Sequence, residues 1–111
     1  MKIAGQTFEI IRATSAVAEF LVHVQIGGPA PGCTVTGRAV GPRCEGLSTV
    51  VVAYPLRVLE MRDTTVSLRC VIPEPNLWKP ETPFTYAVSV ELRANGVVVD
   101  SRISTLALKN R

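Results

Sequence analysis

From Glu19 to Ile26 every second side chain is drawn from one set: Phe20, Val22, Val24 and Ile26 fall on one face of an extended backbone. Glu19, Leu21, His23 and Gln25 fall on the other. Successive side chains of a strand point to opposite faces, so this period predicts a half-buried strand, whereas a helix would scatter the same residues around its axis. The pattern recurs at Thr65–Ile72, with Val66, Leu68, Cys70 and Ile72 inward. It recurs again at Cys33–Val40, where Val35, Gly37 and Ala39 alternate with Thr34, Thr36 and Arg38 until Gly41-Pro42 ends the strand. An earlier strand is expected through Phe8–Arg12. Leu47–Met61 is apolar with Pro55 in its middle. Proline cannot donate to a ladder, so this stretch reads as an edge strand, a bulge, or two short strands joined at Tyr54-Pro55. Pro73–Pro83 holds four prolines and reads as a loop. Phe84–Arg93 and Val97–Leu108 flank Ala94-Asn95-Gly96, and Asn-Gly suits a type I′ hairpin turn. About seven strands with closely spaced turns predict an all-β sandwich of two antiparallel sheets.

Composition narrows the function classes. The chain has 111 residues, 47% apolar and 19% charged, enough for one core and too short for a (β/α)₈ barrel, which needs roughly 200 residues. A single domain is expected to fill residues 1–111. The net charge is +3, but the twelve basic residues form no run and are not interleaved with aromatics, so nucleic acid is not an expected partner. No apolar stretch reaches the roughly 18 residues of a membrane span, and Met1–Phe8 is too polar for a signal-peptide core. That tilts the expected location towards the cytoplasm. Three cysteines are an odd number, which argues against a disulfide framework. Cys70 reads as a core residue, and a pairing of Cys33 with Cys44 is left open. With one histidine and no Cys-x-x-Cys, neither a metal nor any other cofactor is expected.

Pro75–Arg102 carries the most specific signal. Leu77, Trp78, Pro80, Glu81, Pro83 and Tyr86 lead into a strand, a hairpin and Asp100. In that spacing the segment resembles the immunoglobulin-like β-sandwich domain of glycoside hydrolase family 2, the family of β-galactosidases, β-glucuronidases and β-mannosidases. Lys79 stands where the family has a small residue and Thr85 where it has leucine. Leu106-Ala107-Leu108-Lys109 departs from the family's phenylalanine-glycine-phenylalanine-arginine ending. The resemblance implies an immunoglobulin-like sandwich and a non-catalytic accessory role. It would hold a sugar-binding domain and a catalytic barrel of a retaining β-glycosidase in fixed orientation, with neighbouring domains as partners. The alternative is a free-standing interaction or adhesion module, with a weak homodimer through its edge strands.

Trp78, in a proline-stiffened loop, is expected to plug the open end of the sandwich rather than to stack on sugar, and Tyr86 to seek a partner for its hydroxyl. Glu74 and Glu81 bracket the loop, but a surface loop lacks the enclosure that tunes a catalytic pair, so no catalytic residue is assigned and the domain itself is not expected to be an enzyme. His23 reads as a solvated residue with no serine or cysteine partner. Gly27–Gly32 reads as a turn, not a phosphate cradle. Arg57, Arg62 and Arg69 form a possible outward patch for a carboxylate-rich surface, against the commoner reading of a solvated face.

Overall fold

The computed structural model describes residues 1–28 and 31–110, so Pro29 and Ala30 of the expected Gly27–Gly32 turn lie outside the described residues. Seven antiparallel strands follow in order: β1 (Lys2–Ala13), β2 (Val17–Gly27), β3 (Cys33–Arg43), β4 (Val52–Arg62), β5 (Thr65–Pro73), β6 (Thr85–Ala94) and β7 (Val97–Leu106). They form one continuous ladder, β1-β2-β5-β4-β3-β6-β7, that folds over at β4 into two layers. β1-β2-β5-β4 over β3-β6-β7 is the strand order of constant-type immunoglobulin sandwiches.

β4 makes the fold-over. Val52–Leu56 pairs with β3, and Arg57–Arg62 pairs with β5. The strand is therefore an edge of each layer in turn, with a bulge between Val58 and Glu60. Pro55 sits where only β3 is paired, so its missing N–H removes nothing from the open side. At the crossing Gly37 faces Leu56, and a Cβ on residue 37 would stand 2.6 Å from both the Leu56 side chain and the Ser89 carbonyl of the adjoining β6.

The alternation in the sequence becomes the core. Phe20, Val22, Val24, Leu68, Cys70, Ile72, Val88, Val90 and Leu92 are fully buried between the layers. Each large aliphatic or aromatic side chain removed from water contributes about 1.5–3 kcal/mol before entropy is counted. Asn95 and Gly96 both take positive φ, 52° and 81°, between paired Ala94 and Val97, which is the type I′ requirement.

Two strands run further than their patterns suggested. β1 extends over Lys2–Ala13 instead of Phe8–Arg12, because it pairs along nearly the whole length of β2. β3 does not stop at Gly41-Pro42 but reaches Arg43, which pairs with Thr85. Gly41 permits this: a Cβ there would stand 2.7 Å from the Tyr86 ring and 2.9 Å from the Thr85 carbonyl.

The two outermost strands meet through side chains. The Ile3 N–H donates to Asp100 (2.8 Å), Gln6 to the Ser104 hydroxyl (2.9 Å), and Arg102 to the Ile3 carbonyl (3.2 Å). The sandwich is 45 Å long, with the start of β1 at one end and Leu108 at the other.

Candidate functional site

The Pro75–Tyr86 motif closes the end of the sandwich where β2, β4 and β6 begin. Glu74 takes a positive φ of 46° and donates its N–H to the Ala16 carbonyl, which turns the chain out of β5. Asn76 then donates its N–H to the Tyr86 hydroxyl at 3.0 Å. Leu77 packs against the core. Lys79 and Thr82 exchange backbone bonds of 3.2 and 3.1 Å around Pro80-Glu81. Proline has its φ preset for the first corner of such a turn. Trp78 and Pro83 bridge the base of this small hairpin, and the Trp78 N–H donates to the Leu108 carbonyl at 2.8 Å.

Six of the seven motif residues are thus gathered at one end. Asp100 is not among them. It lies six residues along β7 from Leu106, the partner of Tyr86, or roughly 20 Å at strand rise. Its work is in the β1–β7 seam, where it accepts from the Ile3 and Ser101 N–H groups. Those two bonds hold its carboxyl below the ordinary 3.8. A carboxyl depressed on folding stabilises above its unfolded value and loses that contribution as pH falls through the folded one. Acid titration of unfolding should therefore show stability dropping below about pH 3.8, with a shallower drop in Asp100→Asn.

Trp78, the expected plug, lies at this end and is half-buried, with the Lys109 ammonium 4.6 Å from its ring centre, a contact worth about 0.5–1 kcal/mol at an exposed site. The side chains that fill this end are Tyr86 and Leu108, 1% and 0% exposed, with Leu77 alongside. Glu74 and Glu81 are both exposed, Glu81 at the hairpin tip. Beside the hairpin, the 44–51 loop leaves an open cleft of about 690 Å³ lined by Arg43, Cys44, Leu47, Thr49 and Pro83.

His23 has the serine partner that its sequence context did not reveal. Nδ1 lies 2.8 Å from Ser67 Oγ and Nε2 lies 3.0 Å from Glu9 Oε1. His23 stands directly across from Ser67 on β5 and diagonally from Glu9 on β1, so the signal was the register, which one strand's pattern does not contain. The Ser67 residue is only 7% exposed and lies beneath the sheet surface, so the trio ties three strands together instead of presenting a nucleophile.

The arginines divide. Arg57 and Arg69 are paired across β4 and β5 on one face, but Arg69 is held by Glu19 at 2.6 Å. Arg12 reaches the same carboxylate at 3.8 Å. The three thiols are all free. Cys33 and Cys44 bracket the 11-residue β3, whose length, roughly 35 Å, forbids a bond between them. Burial pushes the Cys70 thiol up to about 12, which keeps it protonated and inert. Among the described residues, no three His, Cys, Asp or Glu side chains converge as a metal site.

A two-layer sandwich in constant-type immunoglobulin order, with one end closed by a Leu-Trp-x-Pro-Glu-x-Pro hairpin latched to a buried tyrosine, defines an immunoglobulin-like β-domain. The chain belongs to the glycosyl hydrolases family 2, whose sequence pattern matches residues 35–107. No curated protein matches the sequence. Among solved structures, a Bifidobacterium dentium β-glucuronidase complexed with coumarin-3-O-glucuronide superposes with a TM-score of 0.69 at 23% identity, over 96% of this chain and 18% of that one. A β-glucuronidase from glycoside hydrolase family 2 gives 0.65 at 18% identity, over 98% and 13%. A family 2 member from Bacteroides cellulosilyticus gives 0.65 at 17%, over 96% and 14%. At these identities the likeness is one of fold. The chain spans less than a fifth of the length of these relatives.

Proposed function

We propose that this chain is a non-catalytic β-sandwich domain of a longer retaining β-glycosidase, and that it orients a sugar-binding domain and a catalytic domain relative to each other. The family match over residues 35–107, in a chain covering 18% or less of its solved relatives, carries the reading. The geometry suits a spacer: β1 begins at one end of a 45 Å body and Leu108 leaves from the other, so domains joined in series are held apart by a packed core instead of a flexible linker. Hydrolysis with retention needs two carboxyl groups roughly 5–5.5 Å apart in an enclosing site, and in this reading the rest of the polypeptide supplies them.

The test is the mass of the native gene product, read by immunoblot with antibody raised against this domain. A band several times 12 kDa is expected, from a protein that cleaves an aryl β-glycoside. The glucuronide comes first, since two of the three structures named above are β-glucuronidases. A band at 12 kDa would overturn the reading in favour of a free-standing interaction module, for which the exposed outer edge of β4 is the supporting feature.

A further inference from the structure

Where β4 leaves β5 for β3, the outer face of the four-stranded layer opens. The last rung of the β4–β5 ladder in that direction sets Arg57 opposite Arg69, and the next residue, Leu56, already pairs with β3. Val71, two residues beyond Arg69, therefore has a partner on β2 and none on β4. The parting strands leave a cleft of about 500 Å³ lined by Pro55, Arg57, Leu59, Arg69 and Val71. Clefts that take small organic molecules run from roughly 300 to 1,000 Å³. Its apolar wall is open to water, with Leu59 57% and Val71 39% exposed.

Leu68 and Cys70, on either side of Arg69, are fully buried, so Arg69 and the opposed Arg57 both point away from the core. Like charges directly opposed on one face of an antiparallel pair are unfavourable. The carboxylates on that face do not balance them. Glu19 is shared between Arg69 at 2.6 Å and Arg12 at 3.8 Å, Glu9 lies against His23, and Glu60 makes no ion pair among the described residues. Glu19 takes only the Nε of Arg69. Among the described residues, the terminal nitrogens of Arg69 and the whole guanidinium of Arg57 have no acceptor.

We infer that this cleft binds a small organic carboxylate, its head between the Arg57 and Arg69 guanidinium groups and its apolar body along Pro55, Leu59 and Val71. The guanidinium fork matches the two oxygens of a carboxylate, and an anion held between the two like charges removes their repulsion. This holds whether the chain works alone or inside a longer polypeptide, so its failure leaves the accessory reading untouched.

Equilibrium dialysis of the native gene product against benzoate provides the test. Arg57→Gln should weaken binding about tenfold, the loss of one charge-assisted contact. Arg38→Gln removes the same charge from an exposed position on the other layer and should leave binding unchanged. Equal weakening in the two variants would assign the binding to diffuse attraction by a basic protein and overturn the site, as would no binding of benzoate to the wild type. Benzamide, the same ring without the charge, should not compete. Binding lost on Arg57→Gln should also fall as salt rises, and indifference to salt would argue against an ion held at a surface cleft. Glucuronate carries its carboxylate on a polar ring and should bind more weakly than benzoate. Equal or tighter binding, read as the part that Arg57→Gln removes, overturns the role given to the apolar wall.

Discussion

Tyr86→Ala should cost about 3–5 kcal/mol of stability, measured by denaturant unfolding, the range for deleting a buried aromatic ring. The ring is 1% exposed and meets Tyr54 edge-on at 6.4 Å. Gly41 passes directly over it, so from that side no side chain is placed to fill the space left behind. Tyr86→Phe separates ring from hydroxyl. It keeps the packing but strands the Asn76 N–H, for about 1–2 kcal/mol. Alkaline unfolding provides a second check. Burial raises the phenol above its ordinary 10.0 against the opposing Asn76 bond. A group raised on folding stabilises fully below its unfolded value and loses that contribution as pH rises through the folded one. Wild type should therefore weaken above about pH 10, and Tyr86→Phe should lose that part of the decline. Equal losses for Phe and Ala would mean that the hydroxyl, not the ring, closes this end.

Gly37→Ala, the addition of one methyl group, should cost about 1–3 kcal/mol, towards the upper end. The new Cβ would stand 2.6 Å from both Leu56 Cδ1 and the Ser89 carbonyl oxygen, and 3.2 Å from Val90 Cγ1. Leu56 has rotamers in which to retreat. The Ser89 carbonyl is main chain in the β3–β6 ladder and does not. Shortening Leu56 to alanine in the Gly37→Ala background should therefore fail to restore stability, and the double variant should be less stable than either single change. Recovery in the double variant would show that the crossing depends on side-chain fit and not on backbone approach.

The strands were legible because each layer has one wet face, which forces an alternation that a short window captures. Pro55 likewise marked an edge strand, a bulge or a break, and β4 is one continuous edge strand with its bulge further on, between Val58 and Glu60. The fold-over was not legible, since it depends on where β3 ceases to accompany β4, and no property of Leu56 or Arg57 marks that point. The Asp100–Ile3 bond joins residues 97 apart in sequence, and the His23–Ser67 contact joins residues 44 apart. Both depend on register, which the alternation leaves free by two-residue steps. At the closed end the sequence pointed to the segment, but not to how its rings share the burial: Tyr86 is fully buried, and its hydroxyl receives an N–H from the loop that covers it. Trp78 is held instead through its backbone, leaving its ring to Lys109.

The opposite placement of Lys2 and Leu108 also determines how the body bears a load. Tension applied between those residues runs along the strands and across every rung of the β1–β2 and β6–β7 ladders together. Antiparallel hydrogen bonds lie perpendicular to their strands, so the pull shears the rungs in parallel instead of unzipping them one by one. The Ile3–Asp100 and Gln6–Ser104 contacts add stitches between the two strands that take up the force first. The domain is built as a tie-bar that resists stretch along its 45 Å axis.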